Sequence, residues 1–214
     1  MHRDLDLRPS DYFEHLPAKA KILLLACGAL AREIVDLVEA NHWEGFAIQC
    51  LPAKWHNTPQ LIVPALREKI KANRGRYKKI FVLYGDCGTG GQLDALLREE
   101  NIERIAGPHC YAFYSGNEHF AAGAEADMTS FYLTDYLARH FDKLIWQGLA
   151  LDRHPELRDD YFGNYTTLIY LSQTEDETLK AAAQNAAVQL GLAFEYRFTG
   201  YGELKTDLVK LTSA

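Results

Sequence analysis

The stretch "KKIFVLYGDCGTGGQLDALLREEN", residues 78–101, decides the fold. A short apolar run ends at Tyr84-Gly85, a cysteine stands inside a glycine-rich turn, and a helical spacing of leucines follows. A brief apolar run closed by a turn is the signature of a buried strand. The same unit recurs upstream. "KILLLACG" (residues 21–28) reads as a strand, and "ALAREIVDLVEAN" (29–41) puts Leu30, Ile34, Leu37 and Val38 on one helical face. "GFAIQCLP" (45–52) is a second strand. It is followed by the loop "AKWHN" and the helix "TPQLIVPALREKIKAN", which Asn57 or Thr58 can cap with Pro59 in the first turn. "IERIAGPHCYAFYSG" (102–116) holds a short fourth strand or a strand-like loop. This alternation predicts an α/β protein, with an open, mostly parallel sheet and helices on both faces, in a single domain.

Residues 1–19 read as an N-terminal extension and 20–214 as the domain, with a helical insertion at about 117–163. Inside the insertion, "TSFYLTDYLARHFDKLIWQGL" (129–149) sets Leu133, Leu137, Phe141 and Leu144 along one stripe, as core packing requires. "YTTLIYLSQ" (165–173) returns to a strand. "TEDETLKAAAQNAAVQLG" (174–191) opens with Thr174 and Glu177 at capping-box spacing and closes on Gly191. "LAFEYRFTG" is the last strand and "YGELKTDLVKL" the last helix. This second run is expected to extend the first sheet.

The chain has 214 residues, enough for a sizeable core. Its 23 basic and 29 acidic side chains give a net charge of −6, which argues against a nucleic-acid binder. The densest basic run, "KANRGRYKK", reads as a solvated loop. No apolar stretch reaches the roughly 18–20 residues a membrane span needs. The N-terminus is polar and acidic, unlike a secretory signal, so a cytoplasmic protein is expected. In a reducing compartment the four cysteines are thiols or metal ligands rather than disulfides.

Their positions matter more than their number. Cys27 follows the first strand, His56 the second, Cys87 the third, and His109 with Cys110 the next strand-like element. In an open parallel sheet the carboxyl ends of the strands share one edge, where ligands bind. Residues remote in sequence can therefore meet there. Cys27, His56, Cys87 and Cys110 make a tetrahedral Cys3His donor set, most simply for zinc. His109 joins them only if its segment is a loop, because neighbours on a strand face opposite ways, and Pro108 favours a loop. Cys50, inside its strand, reads as core.

The glycine-rich turn has no Walker-type Lys-Ser or Lys-Thr and no clean dinucleotide fingerprint. Its glycines allow backbone to approach a ligand and expose N–H groups at a helix start, which would also lower the pKa of Cys87. Gly28, Asn57, Gly85, Gly88, Gly90 and Gly91 are the expected ligand-lining positions. Tyr84 and Asp86 flank the cysteine as a proton donor or a partner of the ligands, and Asp86 equally suits a turn residue.

"LACGALARE", "WHN" with a following proline, "YGDCGTG" and "PHC" with "YSG" after it resemble the uncharacterised family known as domain of unknown function 1638. The resemblance runs from about residue 21 to 204 and carries over onto Cys27, His56, Cys87 and Cys110. It departs at His109, where the family pattern has an acid. It implies an association with corrinoid and one-carbon methyl-transfer systems, and no established activity.

Three functions follow as expectations. The first is a zinc-dependent thiol- or methyl-transfer enzyme or accessory. The second is a non-catalytic pocket for a corrinoid, nucleotide or anion. The third is an iron–sulfur protein. A Cys–His hydrolase is a weaker fourth, since three cysteines exceed its need. The expected partner is a small molecule, with no nucleic acid and no membrane. The sequence names no protein partner.

Overall fold

The computed structural model describes residues 11–212. The first ten residues of the N-terminal extension lie outside them. The described chain divides into two compact units, one running to Cys110 and resuming at Leu204, the other Tyr111–Glu203.

In the first unit the order is β1 (Phe13–His15), β2 (Ile22–Cys27), α1 (Ala31–Ala40), β3 (Phe46–Leu51), α2 (Ile62–Asn73), β4 (Lys79–Leu83), α3 (Gln92–Glu100) and β5 (Glu103–Arg104). The strands form one sheet in the order β1-β3-β2-β4-β5. β3, β2, β4 and β5 are mutually parallel, and β1 joins β3 antiparallel. The central β2 is buried from Leu23 to Ala26, as a strand covered on both faces must be. Leu23, Leu25 and Val82 share a core with Leu66 and Ile70 of α2 and with Leu93, Leu96 and Leu97 of α3. α1 buries Ala31, Ile34, Leu37 and Val38. β1 falls inside the expected extension, because three residues are too few to show a period.

The chain continues through α4 (Cys110–Ser115), α5 (Asn117–Gly123), β6 (Ser130–Thr134), α6 (Asp135–Arg139), a π-helical turn (Asp142–Trp146), α7 (Arg158–Phe162), β7 (Thr167–Ser172), α8 (Glu177–Leu190), β8 (Ala193–Phe198) and α9 (Gly202–Thr212). The α/β class and the mostly parallel strands are as expected. One expectation fails: β6-β7-β8 form a second, parallel sheet instead of extending the first. β5 pairs at only two positions before Gly107-Pro108 and α4, so it offers no edge long enough for another strand.

The stretch 129–149 also corrects a helical reading. Its first residues are strand β6, and only from Asp135 does the backbone turn helical, with Thr134 Oγ1 accepting from Leu137 N at 3.4 Å. The stripe still marks the core in part. Leu133 and Phe141 pack with Leu168, Tyr170 and Ala183. α8 is capped by Asp176 rather than Thr174: its Oδ1 accepts from Thr178 N at 2.8 Å and Leu179 N at 3.2 Å. Gly191 closes the helix at φ 73°. Thr58 makes no side-chain cap, although Pro59 does open a 3-10 turn. Among the described residues, no helix is long and apolar enough to cross a membrane.

Candidate functional site

From β2 the chain moves to β3 on one side, then crosses back to β4 on the other. Such a reversal opens a crevice beyond the carboxyl ends of the strands. Cys27 ends β2, and His56 lies in the 3-10 turn Ala53–Asn57 after β3. Cys87 lies in the loop after β4, and His109 in the segment after β5. The crevice gathers three of these side chains. One ligand atom each from His56, Cys87 and His109 lies within 4.8 Å of the other two. The two imidazoles meet edge to face, with ring centroids 5.1 Å apart. His109 Nδ1 lies 3.4 Å from Cys110 Sγ, which turns Nε2 away from that thiol. Cys27 and Cys110 stand outside the trio but close to it: burial chiefly raises the Cys87 and Cys110 thiols, Cys27 adds to the first, and Cys87 and then Cys27 add to the second. Cys50 is buried in β3, as read from its position.

Two glycines bring the segments together. A Cβ on Gly85 would lie 2.8 Å from Pro108 O and 2.9 Å from His109 N and Cα, so only glycine lets the His109 backbone reach the Cys87 loop. A Cβ on Gly28 would lie 2.8 Å from Leu51 O, the residue that leads into the His56 turn. These positions serve chain-on-chain contact. Cys87 itself has φ 46°, unusual for a side-chain-bearing residue, and its N–H donates to Pro108 O at 3.4 Å.

The Asp86 carboxylate braces the turn. It accepts from Thr89 Oγ1 at 2.7 Å, Gly91 N at 2.8 Å and Gly90 N at 3.1 Å. The N–H groups of Gly90 and Gly91 just before α3 are thereby engaged. These bonds hold the carboxyl below the usual range. Asn57 is exposed in its turn, and Gly88 packs on Pro59, whose ring lies 3.4 Å from where a Cβ on Gly88 would stand.

Burial sets the protonation states. It pushes the Cys87 thiol up to about 12, with Cys27 adding to the effect. The expected lowering by the helix start is thus overridden, because the loop turns the sulfur inward. Burial takes His109 down to about 4, with His56 adding to the effect. Burial of its ring also lowers His56, although the residue as a whole stays exposed. Both imidazoles are therefore neutral at pH 7, with lone pairs to offer. The Tyr84 hydroxyl is buried without a conventional hydrogen-bond partner, and the Cys27 thiol is its polar neighbour.

Two supporting residues escaped the sequence reading. Arg104 holds Asp94 at 2.6 Å and donates to the carbonyls of Ile105 at 2.8 Å and Gly107 at 2.9 Å, fixing the approach to His109. A two-residue strand gave no sign of this. Glu33, only 3 % exposed, adds its charge to the burial that chiefly raises the Cys27 and Cys110 thiols. Its signal was legible: it falls three residues after Leu30, on the apolar face of α1.

The family model described as protein of unknown function (DUF1638) matches residues 50–208. The chain belongs to that family. The DUF1638 match includes His56, Cys87, His109 and Cys110, while Cys27 precedes it. No curated protein and no solved structure matches the chain.

Proposed function

We propose that this DUF1638 protein is a metal-dependent enzyme acting on a small molecule, with zinc held by His56, Cys87 and His109. The observation that carries the reading is the convergence of those three donors within 4.8 Å at the carboxyl edge of the first sheet. Zinc–nitrogen bonds near 2.0 Å and zinc–sulfur bonds near 2.3 Å place tetrahedral ligand atoms about 3.5 Å apart. Atoms within 4.8 Å of one another would close by about 1.3 Å or less to reach that spacing. The donor chemistry fits as well, since neutral imidazoles and a thiolate are the usual zinc ligands. Cys87 is protonated when left to burial alone, so a bound cation would supply the charge that ionises it.

Three protein ligands leave a fourth position for solvent or substrate, the arrangement of catalytic rather than structural zinc. Bound there, zinc would supply Lewis acidity and would lower the pKa of a substrate thiol, which makes thiol-directed group transfer the concrete reaction. Cys110 against Nδ1 of His109 would orient the ring. Two imidazoles and one thiolate favour a single ion over an iron–sulfur cluster, which needs more sulfur donors.

The test is elemental analysis of protein purified without a metal-affinity tag, beside Cys87→Ala, His109→Ala, Cys27→Ala and Cys110→Ala. The expected outcome is about one equivalent of zinc, lost in the first two variants and kept in the last two. Loss in Cys27→Ala and Cys110→Ala as well would restore the Cys3His set. Folded protein that takes up no metal on reconstitution would overturn the reading.

A further inference from the structure

We infer that the opposite, amino-terminal edge of the first sheet binds a small organic anion with an aromatic or aliphatic body. The inference is independent of the metal centre. A cavity of about 720 Å³ opens there, between the starts of β2, β3 and β4 and the end of α9. That volume falls in the range of small-molecule sites, which are mostly apolar with a few placed polar groups.

Trp43, packed edge to face on Phe46 with centroids 5.9 Å apart, lines it together with Leu211. Its rim is cationic, with Lys21, Lys78 and Lys79. Lys79 is taken by Glu103 at 2.6 Å. Lys21 and Lys78 have no ion-pair partner among the described residues. The main chain holds the rim rigid: Lys21 N donates to Gly45 O and Lys78 N to Lys21 O, both at 2.8 Å. On a chain of net charge −6, two cations without an ion-pair partner among the described residues, lining one cavity with Trp43 and Phe46, favour an anion with apolar bulk.

Gly45 adds a separate pointer. It lines the cavity, its φ is not positive, and a Cβ there would meet nothing within 4 Å. The local backbone does not require glycine, and the open space beside this lining position leaves room for a larger side chain.

The test titrates the tag-free full chain with 8-anilinonaphthalene-1-sulfonate, read by dye emission and tryptophan quenching, beside the neutral N-phenyl-1-naphthylamine. Saturable one-site binding of the sulfonate is expected. Gly45→Leu should weaken it at least tenfold by filling the space. Lys21→Glu with Lys78→Glu should weaken it about tenfold while leaving the neutral dye unchanged, an effect that added salt reduces. Circular dichroism and an unaltered urea midpoint would show that each variant is folded. Absence of saturable binding, or equal sulfonate affinity in either folded variant, overturns the inference. So does a change in sedimentation of Gly45→Leu without a change in dye affinity, which would assign the cavity to a polypeptide contact.

Discussion

Gly85→Ala is the substitution from which most can be learned about the candidate metal centre. The added methyl would lie 2.8 Å from Pro108 O and 2.9 Å from both His109 N and Cα. All three are backbone atoms, so no side chain can rotate away. Ordinary contact needs about half an ångström more, and the whole Pro108–His109 segment must supply it. That segment is tied down, because Arg104 grips Gly107 O at 2.9 Å and Cys87 N donates to Pro108 O at 3.4 Å. Overpacking of this kind destabilises by about 1–3 kcal/mol. The larger effect falls on the site, because the methyl presses on the backbone of His109, which carries one of its three donors. A donor displaced by a comparable amount lowers metal affinity by about 10–100-fold. Urea unfolding gives the first quantity and competition against a chromophoric zinc chelator the second. Gly45→Ala, where a Cβ meets nothing within 4 Å, is the matched control and should leave both unchanged. If Gly85→Ala took up zinc with the affinity of the natural protein, close approach at this glycine would not be what assembles the trio.

Two further predictions concern the second unit. Asp135 is buried, and its carboxylate accepts from the Tyr170 hydroxyl at 2.7 Å, Thr174 Oγ1 at 2.6 Å, and Gln173 N and Thr174 N at 3.0 Å each. Asp135→Ala would strand these donors and should cost about 3–5 kcal/mol, read as a shift in the urea midpoint; a cost below about 1 kcal/mol would show that the network is dispensable. Arg197 and the Tyr132 hydroxyl hold the Asp127 carboxyl below the usual carboxylate range. A depressed folded pKa stabilises above the unfolded value near 4, and that share is lost as pH falls through the folded value. The stability difference between the natural protein and Asp127→Asn should therefore be full at pH 6 and shrink below about pH 4, and a difference independent of pH would contradict the assignment.

The three central strands of the first sheet were legible in the sequence. The apolar runs ending at Cys27, Leu51 and Leu83 are buried on both faces, and a strand of that kind declares itself without alternation. The parallel order of their carboxyl ends follows from the helices between them, and on it rests the expectation that Cys27, His56, Cys87 and Cys110 meet, of which the trio contains His56 and Cys87. Elsewhere local signals were silent or misleading. β6 shares its leucine and aromatic spacing with a helical stripe, and only pairing with β7 makes it a strand. That the later strands form their own sheet depends on the brevity of β5, which is a matter of pairing and not of composition. Tertiary structure also decided which donors converge. His109 reaches Cys87 because Gly85 admits its backbone, while burial, not the helix start, governs the Cys87 thiol. Strand propensity is written residue by residue, whereas close approach and desolvation arise only when distant segments share one volume.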